Sequence, residues 1–133
     1  MGAGAYEKSL KVLFKATHGY DPEFQSYGKP DLNHFQFVEN KIKKECGANI
    51  KTVYMIGDNL RSDILGANTI NQNSEINWIS IAVKTGLFKK ESDIDSLSAL
   101  TGISKDLVTP SIIVEDFRDA IDYVMYIEDN HDK

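Results

Sequence analysis

A lone cysteine, Cys46, excludes an internal disulfide and a cysteine-rich zinc site, and is compatible with a reducing compartment. Basic charge is also scarce: 15 Lys and Arg against 20 Asp and Glu leave a formal charge of −5, which argues against a nucleic-acid partner. The one local basic cluster, Lys41, Lys43 and Lys44, falls on a predicted helix, where a solvated face accounts for it. No apolar run approaches the length that crosses a bilayer, so no membrane partner is expected. The opening "MGAGAYEKSLKVLFKATHGY" is amphipathic, carries lysines only, and lacks the unbroken apolar stretch of a secretory signal. Internal repeats and low-complexity tracts are missing too. What is present, 133 residues that are 41% hydrophobic and 26% charged, suits one globular domain able to bury a core without staples.

Periodicity orders the chain. Tyr6, Leu10, Leu13, Phe14 and Thr17 recur at helical spacing, predicting a helix over 4–17 that ends near Gly19. "GYDPEFQSYGKPD" reads as a loop, from which Pro30 can open a second helix. Leu32, Phe35, Val38 and Ile42 form the apolar face of that helix, which runs to about Cys46. "TVYMIG" is apolar on both faces, as in a strand covered by helices on both sides. Ser62 can cap a short helix to about Asn68, with Gly66 and Ala67 allowing close packing. "NTINQNSEIN" is a polar connection, "WISIAV" a second buried strand and "SIIV" a third. Residues 89–108 are weakly patterned and read as a loop insertion with one helical turn or two. "EDFRDAIDYVMYIE" closes the chain as a helix with Phe117, Ala120, Ile121, Val124 and Ile127 facing inward. This alternation predicts an α/β fold, a Rossmann-like parallel sheet flanked by helices.

Ligands of such sheets bind beyond the carboxyl ends of the strands. "VYMIGDNLRSDI" places Asp58 just past the end of the first strand and Asp63 at the head of the next helix, both on that rim. Magnesium takes oxygen ligands, keeps several waters and often uses one or two carboxylates. Asp58 could bind it directly, Asp63 could hold a coordinated water or brace Asp58, and Gly57 would let the backbone turn sharply. An ordinary Asp58-Asn59 turn followed by a helix-start aspartate explains the spacing about as well. Upstream, "GKPD" puts Lys29 in the loop before the second helix, within reach of the same rim and of phosphate charge. Lys84 and Thr85, in "KTG" at the end of the second strand, either line a substrate rim or make a tight turn.

Gly-Lys-Pro, a helix, an apolar strand and then "GDNLRSDI" resemble the haloacid dehalogenase (HAD) superfamily of phosphohydrolases. "GAGAYEKSLKVLFKATHG", "GKPD", "VYMIGDNLRSDILGAN", "WISIAVKTGLF" and "TPSIIVEDFRDAIDYV" are similar to its large-cap (class IIA) subfamily, and most of all to eukaryotic cat-eye syndrome hydrolase-domain proteins. The resemblance implies that Lys29 stabilises an attacking carboxylate and its phosphorylated form. It makes Asp58 the magnesium ligand, Asp63 a support of the metal shell and Asn59 a loop-orienting neighbour. The implied activity is magnesium-dependent hydrolysis of a phosphate monoester on a small molecule, through an aspartyl-phosphate.

The resemblance also exposes a gap. Members carry the nucleophile in Asp-x-Asp-Gly after an early apolar strand, whereas the Asp-x-Asp here, Asp93-Ile94-Asp95-Ser96, follows "KKES" and lacks the glycine. Residues 1–133 therefore read as the C-terminal half of such a core, without cap or nucleophile, binding magnesium weakly and inactive alone. Substrate, which the cap selects in capped members, and localisation, cytoplasmic or mitochondrial within the cell, stay open. Two alternatives remain: a non-catalytic module that dimerises through an open sheet edge, and a receiver-like rim with Asp58 as phosphoacceptor. His18, His34 and His131 show no metal-ligand spacing, Ser9, Ser26 and Ser80 no nucleophile elbow, and "GAG" at 2–4 no preceding strand.

Overall fold

The computed structural model describes residues 3–23, 27–47 and 49–131. Gly2, Ser26 and the side chain of His131 lie outside what is described. The elements run α1 (Ala3–His18), α2 (Leu32–Cys46), β1 (Thr52–Gly57), a π-helical turn (Leu60–Ile64) and α3 (Leu65–Asn71). Then come β2 (Asn77–Val83), α4 (Ser92–Thr101), α5 (Lys105–Val108), β3 (Ile112–Val114) and α6 (Phe117–His131). The strands form one parallel sheet in the order β1-β2-β3, Thr52 opposite Asn77 and Ile81 opposite Ile112. The fold is thus the α/β, Rossmann-like arrangement predicted from the sequence.

Burial follows position in the sheet. Central β2 alternates its side chains between two covered faces: Trp78 joins Phe35, Ala67, Ile70 and Ile76, while Ile81 and Val83 pack with Ala120. β1 uses both faces in the same way, Val53 and Met55 toward α2 and α3, Tyr54 and Ile56 toward α6. Yet every β1 residue is only half-buried. Its outer edge has no strand beside it among the described residues, so helices cover its faces while that edge is left without a strand partner.

Local chemistry sets the helix starts, and two of them differ from expectation. α2 opens at Leu32 rather than at Pro30, capped by Asp31, whose carboxylate accepts the Asn33 N–H at 2.8 Å. Asn59, not Ser62, caps the turn after β1, its side chain accepting the Arg61 N–H at 2.9 Å. Gly66 permits the close packing expected of it: a Cβ there would run into the Phe35 ring.

Two other expectations need correction. α4 is a ten-residue helix rather than a turn or two; with α5 it delivers Ile94 and Val108 to a core cluster shared with Leu60, Ile64, Ala82 and Phe88. In α6, Ala120 is buried, but Phe117 (61% exposed) and Ile121 (40%) face out, because the short β3 is too small to cover them. The helix expected over 4–17 is present as α1, with Tyr6, Leu10 and Leu13 all more than half exposed.

One buried charge lies by the amino-terminal end of β2, opposite the carboxyl ends of the strands. Glu39 of α2 is 7% exposed and accepts from Trp78 Nε1 (2.8 Å), Ser74 Oγ (2.6 Å) and Lys43 Nζ (2.7 Å). Burial pushes its pKa up, but hydrogen bonds from Lys43, Ser74 and Trp78 outweigh that and hold it below the usual carboxylate range.

Candidate functional site

The rim beyond β1 is built on close backbone approaches. The strand ends at Gly57, Asp58 follows, and the π-helical turn folds Asp63 back over Gly57. A Cβ on Gly57 would lie 2.5 Å from Cβ and Cγ of Asp63. Gly57 is not among the glycines with positive φ, so what requires a glycine here is space. Asp63 is 4% exposed, and both its oxygens are engaged. Oδ2 accepts the Asn59 N–H at 3.1 Å, and Oδ1 accepts from Lys29 Nζ at 2.6 Å and from Ser62 Oγ at 3.4 Å.

Lys29 thus reaches Asp63 across 34 residues of sequence, from the loop before α2 to the helix after β1. Its side chain keeps 45% of its surface exposed, so solvent screens the pair on one side and water reaches the ammonium. Asp58 is tied to the end of β2 instead. Its Oδ2 accepts the Leu87 N–H at 2.7 Å, and its carbonyl accepts the Phe88 N–H at 2.9 Å. No hydrogen bond reaches its Oδ1 from the described residues. A shallow cleft of about 210 Å³ opens beside it, lined by Asn59, Arg61, Leu87 and Asp93 among others.

The remaining residues singled out in the sequence sort plainly. Asn59 lies in this rim as a cap, holding Arg61 by its side chain and Asp63 by its N–H. Lys84 is bound to Glu115 at 2.6 Å, joining the ends of β2 and β3, and Thr85 is exposed. Asp93 and Asp95 serve local structure: Asp93 Oδ2 accepts the N–H groups of Lys89 and Lys90, which lower its pKa, and Asp95 pairs with Lys105. His18 stacks on Phe14 and His34 lies edge-on to Phe35.

Sequence reading placed Gly86 on the rim only as part of "KTG", and missed what requires a glycine there. A Cβ at this position would overlap the Asp58 carboxylate, so glycine is demanded by a neighbour distant in sequence. The signal was the glycine closing "KTG" at a strand end, the place where a backbone passes close to a site.

Among the described residues no group of three or more His, Cys, Asp and Glu comes together to hold a metal. The donor set suits magnesium only in its sparse form: one direct carboxylate oxygen, Asp58 Oδ1, with waters filling the other positions.

Comparison with known proteins points to one family. A family model described as HAD-hydrolase-like matches residues 26–120, spanning Lys29, Asp58 and Asp63. A cardiolipin synthase (CMP-forming)/mitochondrial hydrolase fusion protein of Schizosaccharomyces pombe is 34% identical over 97 residues, 69% of this chain and 15% of that protein. A mitochondrial hydrolase of Saccharomyces cerevisiae is 25% identical over 143 residues, 90% of this chain and 36% of that protein. The chain therefore spans well under half the length of these curated relatives. No solved structure matches it. With the family match covering most of the sequence and a parallel α/β sheet carrying Gly57-Asp58 at a strand end, the chain belongs to the HAD-like hydrolase family.

Proposed function

We propose that this chain supplies the lysine and the metal-binding acids of a phosphate-monoester hydrolase, and that the nucleophile comes from outside these residues. The observation that carries the reading is the meeting of Lys29 with Asp63 at 2.6 Å, next to Asp58 at a sheet's carboxyl rim. An ammonium and two carboxylates placed there suit phosphoryl chemistry, in which positioning and charge stabilisation do most of the work.

Lys29 holds a positive charge at the rim, oriented by the buried Asp63 and still open to water on its other side. Asp63 fixes that ammonium and the Asn59 N–H together, so the loop after β1 keeps one shape. Asp58 would hold magnesium through Oδ1, its other oxygen being committed to Leu87. Magnesium, when bound, supplies neutralisation of charge at the phosphoryl oxygens. Asp93 and Asp95 are spent on a helix start and an ion pair, which is why neither is assigned as nucleophile.

The test is hydrolysis of p-nitrophenyl phosphate with magnesium, by this chain and by Asp58→Ala. Neither is expected to turn over. Turnover by the chain that disappears in Asp58→Ala would put a nucleophile within these residues and overturn the assignment.

The outer edge of β1 favours a second reading, an oligomerisation module. Thr52–Gly57 contains no charge and no proline, the usual devices that blunt an edge, and every residue is half-exposed. Under that reading a second copy of the chain pairs along β1, and light scattering gives a mass that rises with concentration. A constant monomer mass up to the highest soluble concentration rules it out.

A further inference from the structure

We propose that the turn after β2, from Lys84 to Phe88, is a positioning device that sets which oxygen of Asp58 meets a cation, with Gly86 its indispensable residue. This rests on the assignment of Asp58 as the cation ligand and goes beyond it, by saying what fixes the geometry of that ligand.

The turn is anchored at both ends. At its start Lys84 donates its N–H to the carbonyls of Val114 and Glu115, and its ammonium pairs with the Glu115 carboxylate. The Lys89 ammonium adds a bond to the Lys84 carbonyl at 3.2 Å. At its end Phe88 is 2% exposed, packed among Leu60, Ile64 and Ala82. Between these anchors, consecutive N–H groups of Leu87 and Phe88 take Asp58 Oδ2 and the Asp58 carbonyl. Asp58 is gripped by main chain and side chain at once.

Two consequences follow from that grip. The Leu87 bond occupies one lone pair of Oδ2 and leaves Oδ1 unbonded among the described residues, so the grip favours monodentate binding through Oδ1. And the carboxylate lies against the Cα of Gly86, where any larger residue would displace it. The side chain of Leu87 itself points outward, 72% exposed, so the contribution of that residue is its N–H. Outer partners of this kind typically change metal affinity by about ten- to a hundredfold when removed.

The experiment uses the 133-residue chain and manganese(II) as a paramagnetic probe, with bound and free ion separated by electron paramagnetic resonance. It compares wild type, Asp58→Asn and Gly86→Ala, with thermal melts of each. The proposal expects saturable binding by wild type, none by Asp58→Asn, and binding weakened by about tenfold or more in Gly86→Ala. Wild-type affinity retained by a folded Gly86→Ala overturns the positioning role while leaving Asp58 as ligand. Equal binding by wild type and Asp58→Asn, or none by either, removes Asp58 as ligand and the proposal with it. Should Gly86→Ala fail to fold, hydrogen exchange at the Leu87 amide decides. It is expected to slow when wild type is loaded with manganese's diamagnetic counterpart, magnesium, and to be fast in Asp58→Ala. Exchange that ignores both changes refutes the grip.

Discussion

Gly57→Ala sets two effects of opposite sign against each other. The φ of Gly57 is not in the left-handed region, so alanine fits the backbone, and reduced freedom of the unfolded chain should add about 0.4–1 kcal/mol of stability. Space says the reverse. The new Cβ would lie 2.5 Å from Cβ and Cγ of Asp63, where carbon atoms ordinarily rest at roughly 3.5–4.0 Å. Asp63 cannot step aside freely, because Lys29, Asn59 and its own N–H bond to the Asn59 carbonyl hold it. Overpacking of this kind costs about 1–3 kcal/mol. Displacing a buried carboxylate from a charge-assisted bond adds about 1–2 kcal/mol, the lower end because Lys29 is half exposed. The net loss is about 2–3 kcal/mol, a drop in melting temperature on the order of 10 °C. Urea unfolding followed by Trp78 fluorescence measures it, with Gly4→Ala, whose Cβ would meet nothing within 4 Å, as the control expected not to lower the midpoint. A Gly57→Ala midpoint equal to or above wild type would refute the steric account of this glycine.

Other outcomes follow from the same contacts. Glu39 has a lowered pKa in the folded state, so its stabilisation is present above the unfolded value near 4.5 and is lost as pH falls through the lower folded value. Glu39→Gln should therefore flatten the acid limb of a urea-midpoint profile, and an unchanged acid limb would count against the network. Tyr54 donates to Glu128, and burial, reinforced by that carboxylate, pushes its pKa up to about 12. Its stabilisation is full below the ordinary value of 10.0 and lost as pH rises toward 12; in a phenolate absorbance titration one tyrosine of six should lag, and Glu128→Gln should bring it back toward the rest. Phe35→Ala should cost about 3–5 kcal/mol. Gly66→Ala, which drives a methyl into the same ring, should cost less in the Phe35→Ala background than alone, and strict additivity would sink that packing account.

Where each side chain needed only its near neighbours in sequence, the sequence was readable. The α2 stripe led to Phe35 in the core, and "TVYMIG" and "WISIAV" led to strands with both faces covered. The rim was legible in part: "GKPD" and "GDNLRSDI" pointed to Lys29, Asp58 and Asp63 before their proximity was known. Gly86 was legible only as part of "KTG" at the rim, because what requires it is a carboxylate whose bonding partner, Leu87, is 29 residues away from it. α4 was underestimated because one face of it barely contributes apolar residues, Ile94 being its only fully buried position among those described. The stripe of α1 shows where the pattern stops informing: the helix it predicted is there, and the stripe is exposed. Periodicity says which face a helix has available to bury, and nothing about whether a partner stands opposite.

That exposed first helix changes what an unfolding curve means for this molecule. None of the three core clusters includes a described residue of α1, whereas Trp78, the sole tryptophan, sits inside one of them. A helix of 16 residues standing on its own propensity is marginal in water. Circular dichroism should therefore begin to fall on heating before the indole signal moves, and amide exchange should divide into a fast amino-terminal tier and a slow tier from α2 onward. A single midpoint fitted to the dichroism would average two transitions, so stability differences among variants belong to the tryptophan signal alone.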